Sequence, residues 1–215
     1  MRARHAATAL GALCLAISLA ALPGTARSDG TPAGHAAVAA DIAPGKSRLN
    51  VLAGRQASVR GRVLSGAAGR PALLQRRSGQ GWSTIDRDTT RAGGAFGFTF
   101  RPRRSGSARL RVLVDAARRE MGRLNVYRRA AVSWYGPGLY GNKLSCGGRL
   151  TPGTLGVAHK TLPCGARVTL RRGDRVVRVR VVDRGPYVGG REFDLTSATR
   201  AKLHFGGVGS LLVAS

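Results

Sequence analysis

The sequence predicts an all-β protein in two parts, a sandwich over residues 47–128 and a small barrel over residues 129–215. Three observations predict it. Apolar and polar residues alternate with a period of two in many short runs. Turn-forming Gly, Pro, Asn and Asp punctuate those runs at close intervals. Only one short segment, near residue 200, carries helix start and stop signals. The chain has 215 residues, room for one large domain or two small ones. Hydrophobic residues make up 43 %, enough to bury a core, whereas aromatics are only 5 %, so that core must rest on Val, Leu and Ala.

Residues 1–26 read as a signal peptide. Arg2 and Arg4 give the positive start, residues 6–22 are apolar, and Pro23-Gly24-Thr25-Ala26 offers small residues for cleavage after Ala26. Cys14 lies inside the apolar run, after Leu13, which argues against a lipid-modified cysteine. Residues 27–46 are rich in Gly, Ala, Pro and Asp without periodicity and read as a linker. No later run approaches the ~20 apolar residues of a membrane span, so the expected product is secreted, with no integral membrane contact.

Residues 48–52 and 57–63 are the first two strands. Residues 72–77 and 82–88 flank Ser78-Gly79-Gln80-Gly81, a hairpin signal. Phe96, Phe98 and Phe100 alternate with Gly97 and Thr99, Leu110, Val112 and Val114 repeat the pattern, and Leu124 with Val126 ends it. About seven short strands in ~80 residues suggest an immunoglobulin-like β-sandwich. Asp86 and Asp88 share a strand face there and read as a solvated pair beside Arg87. Arg128-Arg129 marks the expected domain boundary.

In the second part, residues 166–170 and 175–182 alternate around an Arg171-Arg172-Gly173-Asp174 turn. Thr196 or Ser197 can cap a helix over residues 198–205, which Gly206-Gly207 stops. Residues 211–214 form a closing strand. With Cys14 removed, Cys146 and Cys164 remain, and an even pair in an exported chain is most simply a disulfide. Their spacing does not fit a metal site.

The net charge is +26, and apart from Lys46, Lys143, Lys160 and Lys202 it is carried by arginine. Such a charge is either compositional or serves adhesion to an anionic polymer. Nucleic acid is disfavoured, because no aromatics interleave with the arginines.

Four stretches of the second part carry chemistry: Ser133-Trp134-Tyr135-Gly136-Pro137-Gly138, Ala158-His159-Lys160-Thr161-Leu162-Pro163, Val182-Asp183-Arg184-Gly185-Pro186-Tyr187 and Phe193-Asp194-Leu195-Thr196. Their order and spacing resemble the RlpA (rare lipoprotein A) family over residues 131–205. The resemblance implies a six-stranded double-psi β-barrel with a short helix, and a peptidoglycan lytic transglycosylase that needs no cofactor or metal. It also admits a non-catalytic, expansin-like glycan binder. The expected partners are peptidoglycan and anionic wall polymers.

Acidic residues are scarce in the second part: Asp174, Asp183, Glu192 and Asp194. Asp174 sits in a turn and Glu192 near a loop end, where it is expected to be solvated. Asp183 ends an apolar strand and matches the family's acid/base; the other reading is a turn cap. Asp194 alternates with Phe193 and Leu195 and is either a second site carboxylate or a helix cap. His159 is assigned to binding substrate or tuning Asp183. Trp134, Tyr135 and Tyr187 are candidates for sugar stacking, or core aromatics, and Arg184 for substrate binding. The family carries Glu eleven residues before the His; here Gly148 occupies that position.

Overall fold

The computed structural model describes residues 42–215, so the expected signal peptide and most of the linker lie outside the described residues. A three-stranded antiparallel sheet runs in the order β1 (Ile42–Pro44), β3 (Ala57–Val63), β6 (Ala95–Phe100). Residues 42–44, expected as the end of the linker, are therefore strand, held by the pairing of Ile42 with Val63 and Pro44 with Gly61. A second sheet runs β5 (Gly81–Thr89), β4 (Pro71–Ser78), β7 (Gly106–Val114), β8 (Ala117–Tyr135), with β2 (Asn50–Leu52) parallel on β8. Val59 and Phe98 from the first sheet and Leu74, Leu110 and Val112 from the second meet in one core. The Ser78–Gly81 hairpin forms where the turn residues predict it.

No break in the backbone marks Arg128-Arg129. β8 is a single strand of 19 residues that runs through it. Its first part pairs with β7, while Arg128 and Arg129 pair with Val213 and Leu212 of β13 (Gly209–Ala214). The period-two pattern of Leu124, Val126, Ala130 and Val132 is unbroken by Gly or Pro, so nothing in the backbone stops the strand. One bulge kinks its early part: the register shifts between Leu110 and Arg111 opposite Gly122, whose φ of +107 suits glycine.

The remaining strands close a barrel. Starting from β8, the ring passes through β13, β10 (Arg167–Arg172), β11 (Arg175–Asp183), β9 (Gly156–His159) and β12 (Phe193–Thr196), and β12 returns to β8. Six strands are thus joined without an edge, which removes the exposed backbone that an open sheet would present. The β8/β12 and β9/β11 pairs are parallel and the others antiparallel. Inward residues Val132, Val157, Val168, Leu170, Val181, Phe193, Leu195 and Val213 fill the interior. Helix α1 (Ser197–Leu203) packs Leu203 against that core. It ends at His204, in the left-handed conformation with φ 48, two residues before Gly206. Thr196 occupies the N-cap position but bonds Gly156 and Thr199 instead of capping.

Candidate active site

Asp183 is the last residue of β11, just past an irregularity. Val181 pairs with Val157 and Asp183 with Ala158, so Val182 is an extra residue in the ladder. A bulge of this kind bends the strand and re-aims the next side chain. The bulge is held on both sides: Cys146 N–H donates to Val182 O at 3.2 Å, and Gly165 N–H donates to Val181 O at 2.8 Å. The Cys146–Cys164 disulfide joins these two anchoring segments. Gly156, paired with Arg180 just before the bulge, is needed there, since a Cβ would collide with the Val182 side chain.

The ladder then sets the site. Asp183 pairs with Ala158, Ala158 with Asp194, and Asp194 with Ser133. Paired residues in adjacent strands point to the same side of a sheet, so these four side chains form one lateral row across β11, β9, β12 and β8. The two carboxylates are two strands apart, roughly 10 Å at Cα. Between them stands Ala158, which is too small to fill the gap. Tyr135, two residues beyond Ser133, lies on the same side.

Polar contacts distinguish the two acids. The Asp183 Oδ1 accepts the backbone N–H groups of Ser145 and Arg184, both at 2.9 Å. Oδ2 takes neither bond, and Asp183 lines a cavity of about 140 Å³ with Tyr135, Leu139, Asn142, Lys143, Leu144 and Leu150. Asp194 Oδ1 accepts the Ser133 hydroxyl at 2.7 Å. Burial pushes the Asp194 pKa up, against the Ser133 bond and the Arg191 charge, and the negative charge of Asp183 adds to the rise. The Tyr135 hydroxyl is buried without a hydrogen-bond partner among the described residues. Burial, followed by the charge of Asp183, raises its pKa. Asp183, Asp194 and Tyr135 therefore share one electrostatic neighbourhood. Asp194 is not a helix cap, because its oxygen is committed to Ser133 in mid-ladder.

His159 sits one residue along β9, on the other side of the row, paired with Phe193 at a ring separation of 4.7 Å. Its Nδ1 accepts the N–H groups of Thr161 and Leu162 at 3.1 and 3.0 Å, so the proton of the neutral ring is on Nε2. That nitrogen lies 3.7 Å from Glu192 Oε1. Burial lowers the His159 pKa, with Glu192 opposing. Glu192 is not solvated as expected: both its oxygens are bonded by the Arg128 guanidinium, which holds its pKa down. His159 thus shapes the loop after β9 and does not face Asp183.

Arg184 likewise turns inward. Its guanidinium donates to the carbonyls of His159 and Leu162 and to Cys164 Sγ, which fastens residues 159–164 to the strand that carries Asp183. Trp134 does not join Tyr135, because strand alternation sends it to the other face. There it packs on the barrel core with the Arg200 guanidinium 4.0 Å from its ring centre. Tyr187, on the loop after Asp183, is 82 % exposed and free to stack. Gly148 has φ +79 and accepts Leu144 N–H, so the position of the family Glu is a turn without a side chain. Ser133 and the Ser145 amide belong to the site but carried no assignment in the sequence. The motif around Ser133 pointed to it, whereas only the register shows what it touches.

The closed six-stranded barrel with one short helix fits a double-psi β-barrel, and residues 129–214 match the family model described as lytic transglycolase. Through this domain the chain is similar to curated proteins named RlpA. It is 42 % identical over 106 residues to an RlpA protein of Synechocystis, an alignment covering 43 % of this chain and 33 % of that protein. Endolytic peptidoglycan transglycosylase RlpA of Campylobacter jejuni is 44 % identical over 73 residues, 33 % of this chain and 26 % of the relative. The Neisseria meningitidis serogroup A protein of the same description is 44 % identical over 75 residues, 34 % of this chain and 31 % of the relative. The chain spans about a third of the length of these curated relatives. A superoxide reductase from Ignicoccus hospitalis overlaps 40 % of this chain and 81 % of its own at 16 % identity, with a TM-score of 0.28.

Proposed function

We propose that this protein is a secreted peptidoglycan lytic transglycosylase that cleaves the β-1,4 bond between N-acetylmuramic acid and N-acetylglucosamine. The observation that carries the reading is Asp183 at a cavity, in one row with Asp194, within a domain of this family. The Asp183 carboxylic acid donates its proton to the glycosidic oxygen as that bond breaks. The resulting carboxylate accepts the proton of the muramyl C6 hydroxyl as its oxygen bonds C1, giving a 1,6-anhydro end. One carboxyl serves both steps because it is regenerated. Asp194 and Tyr135 face the same space, Asp194 as the second carboxylate and Tyr135 as a hydroxyl free to donate to substrate or to Asp183. Tyr187 supplies a stacking surface. His159 and Arg184 position the loop that borders the site.

The first domain is proposed to be an immunoglobulin-like sandwich acting as a wall-binding module. Its shared core between two sheets supports that reading. A second reading, non-catalytic glycan binding of the expansin kind, is favoured by Gly148 in place of the family Glu. Product analysis separates them. Purified glycan strands incubated with the protein should yield 1,6-anhydro-muramyl ends by mass spectrometry. Binding without such products would sink the transglycosylase and leave the binder.

A further inference from the structure

The outer face of the first domain's larger sheet carries a charge pattern that packing does not require. Along β4 and β7, Leu74, Leu110, Val112 and Val114 point into the core. On the other face, Arg111 pairs with Gln75 and Glu120, Arg77 with Trp82, and Arg109 with Arg123. Like charges directly opposite one another on a sheet are destabilising, and a face built only for solubility intersperses both signs. Here one carboxylate, Glu120, stands among the arginines, 3.5 Å from Arg109 and largely exposed.

The arginines are also organised. Arg111 lies with its guanidinium 4.3 Å from the Trp82 ring centre, and Arg77 approaches the same ring at 5.6 Å. Arg111 Nε donates to Gln75 Oε1 at 2.8 Å, which fixes the fork and leaves its outer nitrogens for a ligand. Burial, then the charges of Arg118 and Arg77, depress the Arg111 pKa, with Glu120 opposing. Trp82 and five arginines, Arg77, Arg109, Arg111, Arg118 and Arg119, line a groove of about 810 Å³, with Glu120 the single carboxylate on its wall.

We propose that this groove binds a phosphodiester-linked polymer without bases, with Arg77, Arg109, Arg111 and Arg118 as its anion contacts. Two guanidinium groups converge on one ring and further arginines line the groove around it; a tetrahedral phosphate accepts from several directions at once, whereas a planar carboxylate is satisfied by one fork. The Trp82 face is covered by Arg111 and is not open for base stacking, on which single-stranded nucleic-acid binding relies. The arginines continue toward the barrel: Arg123, Arg167 and Arg178 act on one another's charge, and Arg167, Arg178 and Arg180 line a further hollow of about 330 Å³. A long polyanion can follow this path, held by screened attraction.

Polymer binding at this face is independent of lytic activity. The test is titration of the full chain with poly(glycerol phosphate), polygalacturonate of matched charge and a single-stranded oligonucleotide, each at low and high salt. Poly(glycerol phosphate) should bind tightest and lose affinity with salt. Arg109→Gln with Arg111→Gln should weaken it by about tenfold or more, since charge-assisted contacts are lost. Arg55→Gln with Arg62→Gln, the same charge change away from the groove, should leave it within about twofold. Should the groove variant lose its fold by circular dichroism, Arg118→Gln on its exposed rim repeats the comparison. Equal losses in both variants, or equally tight binding of either competitor, overturns the proposal. Formation of anhydro-muramyl ends should be unchanged by the groove variants, so the two readings fail separately.

Discussion

Asp183→Asn is the substitution on which the proposed chemistry turns. Asp183 Oδ1 accepts two backbone N–H groups, from Ser145 and Arg184, and the side-chain oxygen of Asn can accept both. The stability cost is then the difference between charge-assisted and neutral hydrogen bonds, about 1–2 kcal/mol over the pair. For a domain of this size that is a fall of several degrees in Tm. The catalytic loss is of another order. Asn cannot deliver a proton to the leaving oxygen, and a general acid contributes about 10²–10⁴-fold. The 1,6-anhydro product should therefore fall by at least about 100-fold while the protein still unfolds cooperatively, only several degrees lower, and keeps its glycan-strand binding. Mass spectrometry of products, with melting and binding measured on the same preparation, checks all three. Anhydro-muramyl release retained in Asp183→Asn refutes the assignment, and retention there with loss in Asp194→Asn moves the acid to Asp194.

Asp194→Asn should be as stable as the parent at pH 7, because burial raises the folded pKa of Asp194 and its ionisation weighs against folding above its unfolded pKa. Denaturation at pH 7 and near pH 3 should show any advantage of the variant shrinking in acid, and a large loss at neutral pH would contradict this. His159 should titrate below the ordinary histidine range by NMR, and its stabilising effect should be full above about pH 6.5 and decline as pH falls through the lowered folded value, because the unfolded ring takes up its proton first. A His159 pKa above that range would show that Glu192 outweighs burial. Replacing Cys146 and Cys164 by Ser should cost about 3 kcal/mol in urea denaturation. It should also reduce cleavage, since the bridge joins the two segments bonded to the bulge before Asp183; unaltered activity would detach the bridge from the site.

Local pattern carried most of the fold. Alternation in residues 57–63, 72–77 and 110–114 is visible in the letters because each strand has one buried face, and the Ser78–Gly81 turn is written in its own residues. What Arg128-Arg129 does not show is that one strand runs on through it, because that ladder continues by pairing with residues more than eighty positions away. The site was legible as a set of motifs and not as an arrangement. Asp183 and Asp194 stand in one row only because Val182 is an extra residue; without that bulge, period-two alternation would turn Asp183 to the opposite face. The same alternation separates neighbours that the sequence groups together. Trp134 leaves Tyr135, and His159 leaves Ala158, because adjacent strand residues cannot share a face. Glu192 gave no local sign of its role, as the guanidinium that holds it comes from β8 and the imidazole beside it from β9. The chemistry of this barrel is therefore set by register between distant strands. Any substitution that shifts the Val182 bulge should disturb the site as surely as one that changes a carboxylate.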